Sequence, residues 1–394
     1  MKKLLLATTA SALLAGAAGA EEIKLGILIG FTGPIESLTS AMAAGAEMAM
    51  KEASDSGLLL GGATVVPVRA DSTCVDSAAA TSAAERLVTS DGVAGIIGGD
   101  CSGVTGAVLQ NVARPNGIVM ISPSATSPAL STAEDDGLFF RTSPSDAREG
   151  EVMADILTEK GVKSIALSYT NNDYGKGLSD AIATSFLAKG GKVTINTSHE
   201  DGKADYSAEV AALASAGGDI LVVAGYLDQG GKGIIQSSVD TGAFTTFGLP
   251  GGMVGDNLPA AIGPALDGSY GQVAQSDSEG AVTLTAMAKA AGFDATTPYS
   301  MESYDAAALF VLAMQAAGSS KPGDYKGKIL DVANAPGEKI FPGEIAKGLE
   351  LIKAGQDIDY EGASAVELIG PGESAGRYRQ FEIKGGKYET VTFR

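Results

Sequence analysis

The chain has 394 residues, 45% of them hydrophobic, with 28 lysines and arginines against 47 aspartates and glutamates, for a formal net charge of −19. A chain this acidic repels phosphate backbones instead of releasing their counterions, which argues against nucleic acid as a partner. Its one histidine, His199, cannot build a multi-histidine metal centre, and its length exceeds the ~250 to 300 residues at which a single core stops growing, so two cores are expected.

Residues 1–20 read as a secretory leader. Lys2 and Lys3 form a short basic start, Leu4 to Leu14 an apolar run, and Ala18-Gly19-Ala20 a small-residue cleavage signature. The apolar run is shorter than the ~20 residues a bilayer-spanning helix requires, and no cysteine stands at the cleavage point for lipid attachment. Cleavage after Ala20 would take the charge from −19 to −21. Export would place Cys74 and Cys101, the only two cysteines, in an oxidising compartment, where a structural bridge is expected.

From residue 23 onward, short β-rich runs alternate with alanine-rich stretches. Strands are expected at Ile23 to Ile29, Ala63 to Ala70, Val93 to Ile97, Ile118 to Ile121, Ser164 to Tyr169, Val193 to Thr197 and Ile220 to Ala224. Most are continuous apolar or β-branched runs, the pattern of strands buried on both faces of a parallel sheet. Helices are expected near 41–55, 76–90, 103–114, 146–160, 176–189, 206–216 and 229–242, giving an α/β doubly wound architecture. The rhythm breaks at Phe139 to Pro144 and again at Gly268 to Ala274, both read as extended crossing segments. Arg377 to Phe393 alternates around Gly385-Gly386 as a β-hairpin does.

Three strand-to-helix loops carry the candidate chemistry. In Ile96-Ile97-Gly98-Gly99-Asp100-Cys101-Ser102-Gly103-Val104-Thr105, Ser102 stands where a helix begins, either to cap that helix or to help its free N–H groups hold a carboxylate. Met120-Ile121-Ser122-Pro123-Ser124-Ala125-Thr126-Ser127-Pro128 clusters four hydroxyls directly after a strand, where open α/β sheets bind ligands, although serine and proline also make ordinary turns. Tyr169 to Gly177 offers Tyr174 at the start of another helix, suited to packing or to closing over a solute. Enzyme signatures are scarce. There is no Gly-x-Ser-x-Gly elbow and no phosphate-binding loop, and Gly370 to Ala375 fits a dinucleotide fingerprint only formally, too near the C-terminus for the βαβ unit that fingerprint requires. No cofactor and no metal are expected.

With these residues in view, the chain resembles the periplasmic branched-chain amino-acid binding proteins of ABC transporters, type I solute receptors. The resemblance spans essentially the whole chain after the leader. It rests on Ile23-Lys24-Leu25-Gly26 with Thr32-Gly33-Pro34, Gly45-Ala46-Glu47-Met48-Ala49, Asp71-Ser72-Thr73-Cys74, and the segments 96–105 and 120–130. Arg141 to Asp146, Asp173 to Gly177, Gly225-Tyr226 and Ser303 to Ala306 extend it. It implies two doubly wound parallel-sheet lobes joined by three crossing strands, with residues 21–141 and 273–375 in lobe I and 142–272 and 376–394 in lobe II. It also implies a small-molecule ligand held between the lobes, its carboxylate on Ser102, Ser124 and Thr126, with Tyr174 and Tyr226 contributed by the opposite lobe. Cys74 and Cys101 match the family's disulfide positions. In relatives that bind α-amino acids, a carboxylate follows the proline that corresponds to Pro250. Here that position is Gly251. An unpaired buried ammonium costs several kcal/mol, so another acid must serve or the ligand lacks that group. Asp228 is the first substitute, with Glu36 and Glu302 as alternatives.

The resulting expectation is a periplasmic, monomeric, non-enzymatic solute-binding protein. It would capture a carboxylate-bearing ligand, foremost a branched-chain or other neutral amino acid, by hinge closure and deliver it to the membrane permease of an ABC importer. The alternatives are a ligand-sensing module for a chemoreceptor or kinase, and a receptor for an aromatic acid, keto acid, amide or urea.

Overall fold

The computed structural model describes residues 21–394; the expected leader lies outside the described residues. The chain forms two seven-stranded sheets and a two-stranded accessory ribbon. The first sheet begins with β1 (Glu22–Ile29), which pairs in parallel with β2 (Thr64–Asp71) on one side and β3 (Gly95–Gly98) on the other. β4 (Met120–Ser122) and β5 (Phe139–Pro144) continue it, also in parallel. β1 reads Glu-Ile-Lys-Leu-Gly-Ile-Leu-Ile and is buried from Leu25 to Ile29, as a strand covered on both faces by helices must be.

The second sheet repeats the scheme with β6 (Ser164–Thr170), β7 (Lys192–His199), β8 (Ile220–Ala224), β9 (Phe247–Leu249) and β10 (Tyr270–Ala274). Farther on, β11 (Glu338–Ile340) and β12 (Ile358–Tyr360) form the ribbon, and β13 (Leu368–Ile369) with β14 (Glu373–Ser374) closes the edge of the first sheet. β15 (Tyr378–Lys384) and β16 (Lys387–Phe393) form the expected antiparallel hairpin on the second sheet. The strand orders are β13-β14-β5-β4-β3-β1-β2 and β16-β15-β10-β9-β8-β6-β7.

The chain therefore passes between sheets three times: after Pro144, after Ala274 and after Ser374. Phe139 to Pro144 is extended, but it is a full strand of the first sheet up to Pro144, and β10 stays in the second sheet through Ala274. The crossings themselves are the short turns that follow, which lead into helices Asp146–Glu159 and Glu279–Ala291 or, at the third, directly into β15. Helix Ser300–Ala317 returns to the first lobe, packs against helix Glu36–Ser56, and is buried on all sides from Ser300 to Met314. That all-round burial explains why its sequence from Ala306 to Met314 is apolar without a polar face.

Cys74 and Cys101 are joined, linking the loop after β2 to the loop after β3. The bridge closes 27 residues, which in the chain-entropy treatment is worth about 3 to 4 kcal/mol. Replacing both cysteines by serine is expected to lower the unfolding free energy by that amount, measured as a shift of the urea midpoint. An unchanged midpoint would show that the bridge stabilises nothing.

Candidate functional site

The carboxyl ends of β1 to β4 are tied together by one buried aspartate. Asp100, 1% exposed, accepts from the Gly30 amide at 2.6 Å and from the Ser72 hydroxyl at 2.7 Å, while its own carbonyl accepts from the Ser124 hydroxyl at 2.9 Å. Ser122 Oγ donates to Gly99 O at 2.5 Å and accepts from the Ala125 amide, which shapes the loop after β4. Burial pushes the Asp100 carboxyl up, against the pull of the donors from Gly30 and Ser72.

This scaffold presents Ser102 and Ser124 to a cavity between the lobes, together with Asp100, Ile35, Leu38 and Tyr299. The opposite lobe contributes Tyr174, Tyr226 and Gly252. Ser102 does not cap its own helix, because its hydroxyl accepts from the Ser127 amide at 3.1 Å, which joins the two polar loops. Thr126 is buried but does not line the cavity, and its hydroxyl faces the Asp146 carboxyl. The lining includes no lysine or arginine. Arg141, fully buried behind the loop, spends its guanidinium on Ala125 O, Ser127 O, Ser131 and Glu373.

Across the cleft, Tyr174 and Tyr226 stack with ring centroids 5.1 Å apart and an interplanar angle of 16°. Helix Asp173–Ala188 positions Tyr174, with Asn172 capping it by accepting from the Gly175 amide. The Tyr174 hydroxyl in turn accepts from the Gly252 amide at 3.1 Å. The cavity measures about 20 Å³, room for little more than one water. The described conformation is therefore closed, and any larger solute must enter through an open one.

Of the three expected ammonium partners, none lines this cavity. Glu36 is exposed at the start of its helix. Asp228 lies at the rim as an interlobe latch: its carboxylate accepts from the Ser37 amide at 3.1 Å and from Asn257 Nδ2 at 2.9 Å, and its amide donates to Pro34 O. Both its oxygens are already engaged. Glu302 is buried in the first turn of helix Ser300–Ala317, near Asp305, and burial raises its carboxyl to about 8.

Gly251 has a steric explanation. A Cβ there would stand 2.8 Å from the Tyr299 hydroxyl and 3.5 Å from Glu149 Oε1, so Tyr299 and Glu149 occupy the space a longer residue would take. Glu149 Oε1 accepts from the Gly251 amide at 2.7 Å and from Gln272 at 3.2 Å. Its neighbour Asp146 is fully buried, facing the Thr126 hydroxyl and the Glu149 carboxyl. Burial raises Glu149 to about 7, and burial followed by repulsion from Glu149 raises Asp146 well above the usual range. The sequence pattern had pointed to Ser102, Ser124, Tyr174 and Tyr226, but not to Tyr299, Asp146 or Glu149. Asp146 and Glu149 open a helix immediately after a crossing, a position where carboxylates are ordinary.

Comparison with known proteins agrees with this fold. The family described as periplasmic binding protein matches residues 22–328. The chain belongs to that family. A relative from Brucella suis, Leu/Ile/Val-binding protein homolog 1, is 32% identical over 308 residues, covering 76% of this chain and 80% of that one. Among solved structures, a leucine-binding protein LivK from Thermotoga maritima superposes with a TM-score of 0.79 at 20% identity, covering 94% of this chain and 98% of its own. A solute-binding protein of an ABC transporter from R. palustris, in complex with 4-hydroxybenzoate, gives 0.75 at 19% identity, covering 95% and 97%. As in the family, the fold is two parallel-sheet α/β lobes, and no helix of the described residues is long and apolar enough to cross a membrane.

Two outcomes follow for this periplasmic binding protein. Glu149 and Glu302 keep their protons in the folded state to about 7 and 8, whereas the unfolded chain releases them near 4.5. Their contribution to stability is therefore complete below about pH 4.5 and declines as pH rises toward 8. Glu302→Gln should flatten that decline and raise the melting temperature at pH 8; identical pH profiles would contradict it. Asp228→Ala should favour the open form by about 1 kcal/mol, roughly a fivefold change in the open-to-closed ratio, seen as a larger radius of gyration in solution scattering.

Proposed function

We propose that this chain is a periplasmic solute receptor that binds a small carboxylate-bearing compound between its lobes, foremost a branched-chain or other neutral amino acid, and passes it to the permease of an ABC importer. The observation that carries the reading is the convergence of Ser102 and Ser124 on one lobe, opposite the stacked Tyr174 and Tyr226 on the other. Hydroxyl and amide dipoles suit an anionic group in a protein of charge −19, because they stabilise it without a cationic side chain in the cleft.

Binding is coupled to closure. The first lobe holds the carboxylate in the open form, the second lobe then covers the solute with its two rings, and the closed surface is what the permease reads. The receptor acts as a monomer without a cofactor, and capture and release require no covalent step. Its place in the periplasm follows from the leader expected at residues 1–20, and mass spectrometry of the exported protein should find Glu21 at its N-terminus.

A thermal-shift screen of leucine, isoleucine, valine, benzoate and 4-hydroxybenzoate identifies the ligand class, since a compound that binds only the folded state raises the melting temperature. For the compound that binds, Ser124→Ala combined with Thr126→Ala should weaken affinity at least tenfold, about 1.4 kcal/mol, by calorimetry. Unchanged affinity would remove the proposed carboxylate site.

A further inference from the structure

We propose that a second cavity between the lobes, separate from the solute cleft, takes a small oxyanion, a carboxylate or a phosphate, on Arg379 and Lys387. Its occupant bridges the lobes and so acts on the same closure as the cleft, whatever solute the cleft binds.

The cavity measures about 430 Å³, within the range of small-molecule sites. The first lobe supplies Ser37 and Leu38 from the start of helix Glu36–Ser56, together with part of the segment 294–298. The second lobe supplies the loop after β9 and the β15–β16 hairpin, which carries Arg379 and Lys387. Leu38 also lines the cleft cavity, so the two spaces are neighbours. Ser37 and Asn257, the residues that donate to the Asp228 carboxylate, stand in the same lining.

Arg379 is the group that the fold leaves incomplete. Every other arginine among the described residues is ion-paired with an aspartate or glutamate. Among those residues Arg379 has no ion pair, its Nε is buried without a hydrogen-bond partner, and no ring face receives its charge. Burial lowers its pKa from the ordinary arginine value, against the opposing pull of Tyr388 and Asp256. A partly buried guanidinium calls for an acceptor, and its planar fork of N–H groups matches the paired oxygens of a carboxylate or phosphate.

The protein's own acceptors in this cavity are spent elsewhere. The Tyr388 hydroxyl donates to Gly255 O at 3.1 Å and accepts from the Gly255 amide at 3.3 Å. Asp294 accepts from the amide and the hydroxyl of Thr296 at 2.8 and 2.7 Å. Asp256 faces Arg379 but is exposed and forms no ion pair with it. Lys387 is exposed and adds a second cation to the hairpin wall. The two acids balance the two cations, which favours a singly charged carboxylate over a doubly charged phosphate. Leu38, Val254 and Pro298 give such a carboxylate apolar surface to lie against.

Because its walls come from both lobes, the site is complete only in the closed form. An oxyanion bound there stabilises closure, and by linkage the oxyanion and the cleft solute raise each other's affinity by the same factor.

The test titrates the exported full chain with sodium acetate and with sodium phosphate at pH 7.5, against sodium chloride at matched ionic strength. Melting temperature reports binding and solution scattering reports closure. A saturable rise above the chloride series is expected, tighter for acetate, with a smaller radius of gyration. The apparent affinity should fall about tenfold in Arg379→Gln, fall less in Lys387→Gln, and hold in Ser124→Ala, which alters only the cleft. Anion-free melting curves report whether each variant folds. A response to phosphate alone would support the site and give it an inorganic occupant. A rise no larger than that of chloride, or one that disappears in Ser124→Ala, would overturn the proposal. So would a rise that persists undiminished in Arg379→Gln or, where that variant does not fold, in Lys387→Gln. Binding with an unchanged radius of gyration would overturn the bridging of the lobes. The reading of the solute cleft is tested separately by the thermal-shift screen and survives each of these results.

Discussion

The cleft depends on one buried carboxylate, Asp100. It gathers the ends of three strands through Gly30, Ser72 and its own backbone, and the Ser124 hydroxyl adds the fourth. The disulfide between Cys74 and Cys101 anchors the same junction covalently, one residue before Ser102. Loops that carry so many hydroxyls and glycines would otherwise sample many conformations, and the entropy of ordering them would be charged to each binding event. Fixing them in advance holds Ser102 and Ser124 in one arrangement, with the Ser102 hydroxyl proton free because its oxygen accepts from Ser127.

The second lobe is organised differently. Its contribution is aromatic area on Tyr174 and Tyr226, set by a capped helix and by the glycine pair at 251–252, where backbone amides reach Tyr174 and Glu149. One lobe is thus rich in fixed dipoles and the other in ring surface and acid. Since the lobes are connected by three short crossings, their approach is close to a rigid rotation, and small contacts at the rim such as Asp228 with Ser37 bias its equilibrium.

Much of this was legible in the chain. The strand runs 23–29, 164–169 and 220–224 fall within a residue of the observed strands because strands buried on both faces must be apolar throughout. The hairpin around Gly385-Gly386 was fixed by turn chemistry. The short strand Phe247–Leu249 and the ribbon of Glu338–Ile340 with Ile358–Tyr360 went unnoticed, because three residues show no periodicity. Phe139 to Pro144 was read as a crossing although it is a sheet strand, since an extended run that ends in proline has the same local signature in either role.

Sequence by itself determined the α/β alternation, the acidic charge, the cysteine pair and the hydroxyl-rich loops at strand ends, because each is a property of local composition and spacing. Only the tertiary structure decided where the candidate acids stand: of the described acids, Asp100 alone lines the cleft cavity. Asp228 stands two residues past Tyr226 and Glu36 two past Pro34, yet one is a rim latch and the other faces solvent. Glu149 reaches Gly251 from a helix more than a hundred residues away in sequence, a meeting that local pattern does not encode. Burial and electrostatic coupling are set by what the folded chain brings within a few ångströms, and neither composition nor spacing contains that distance.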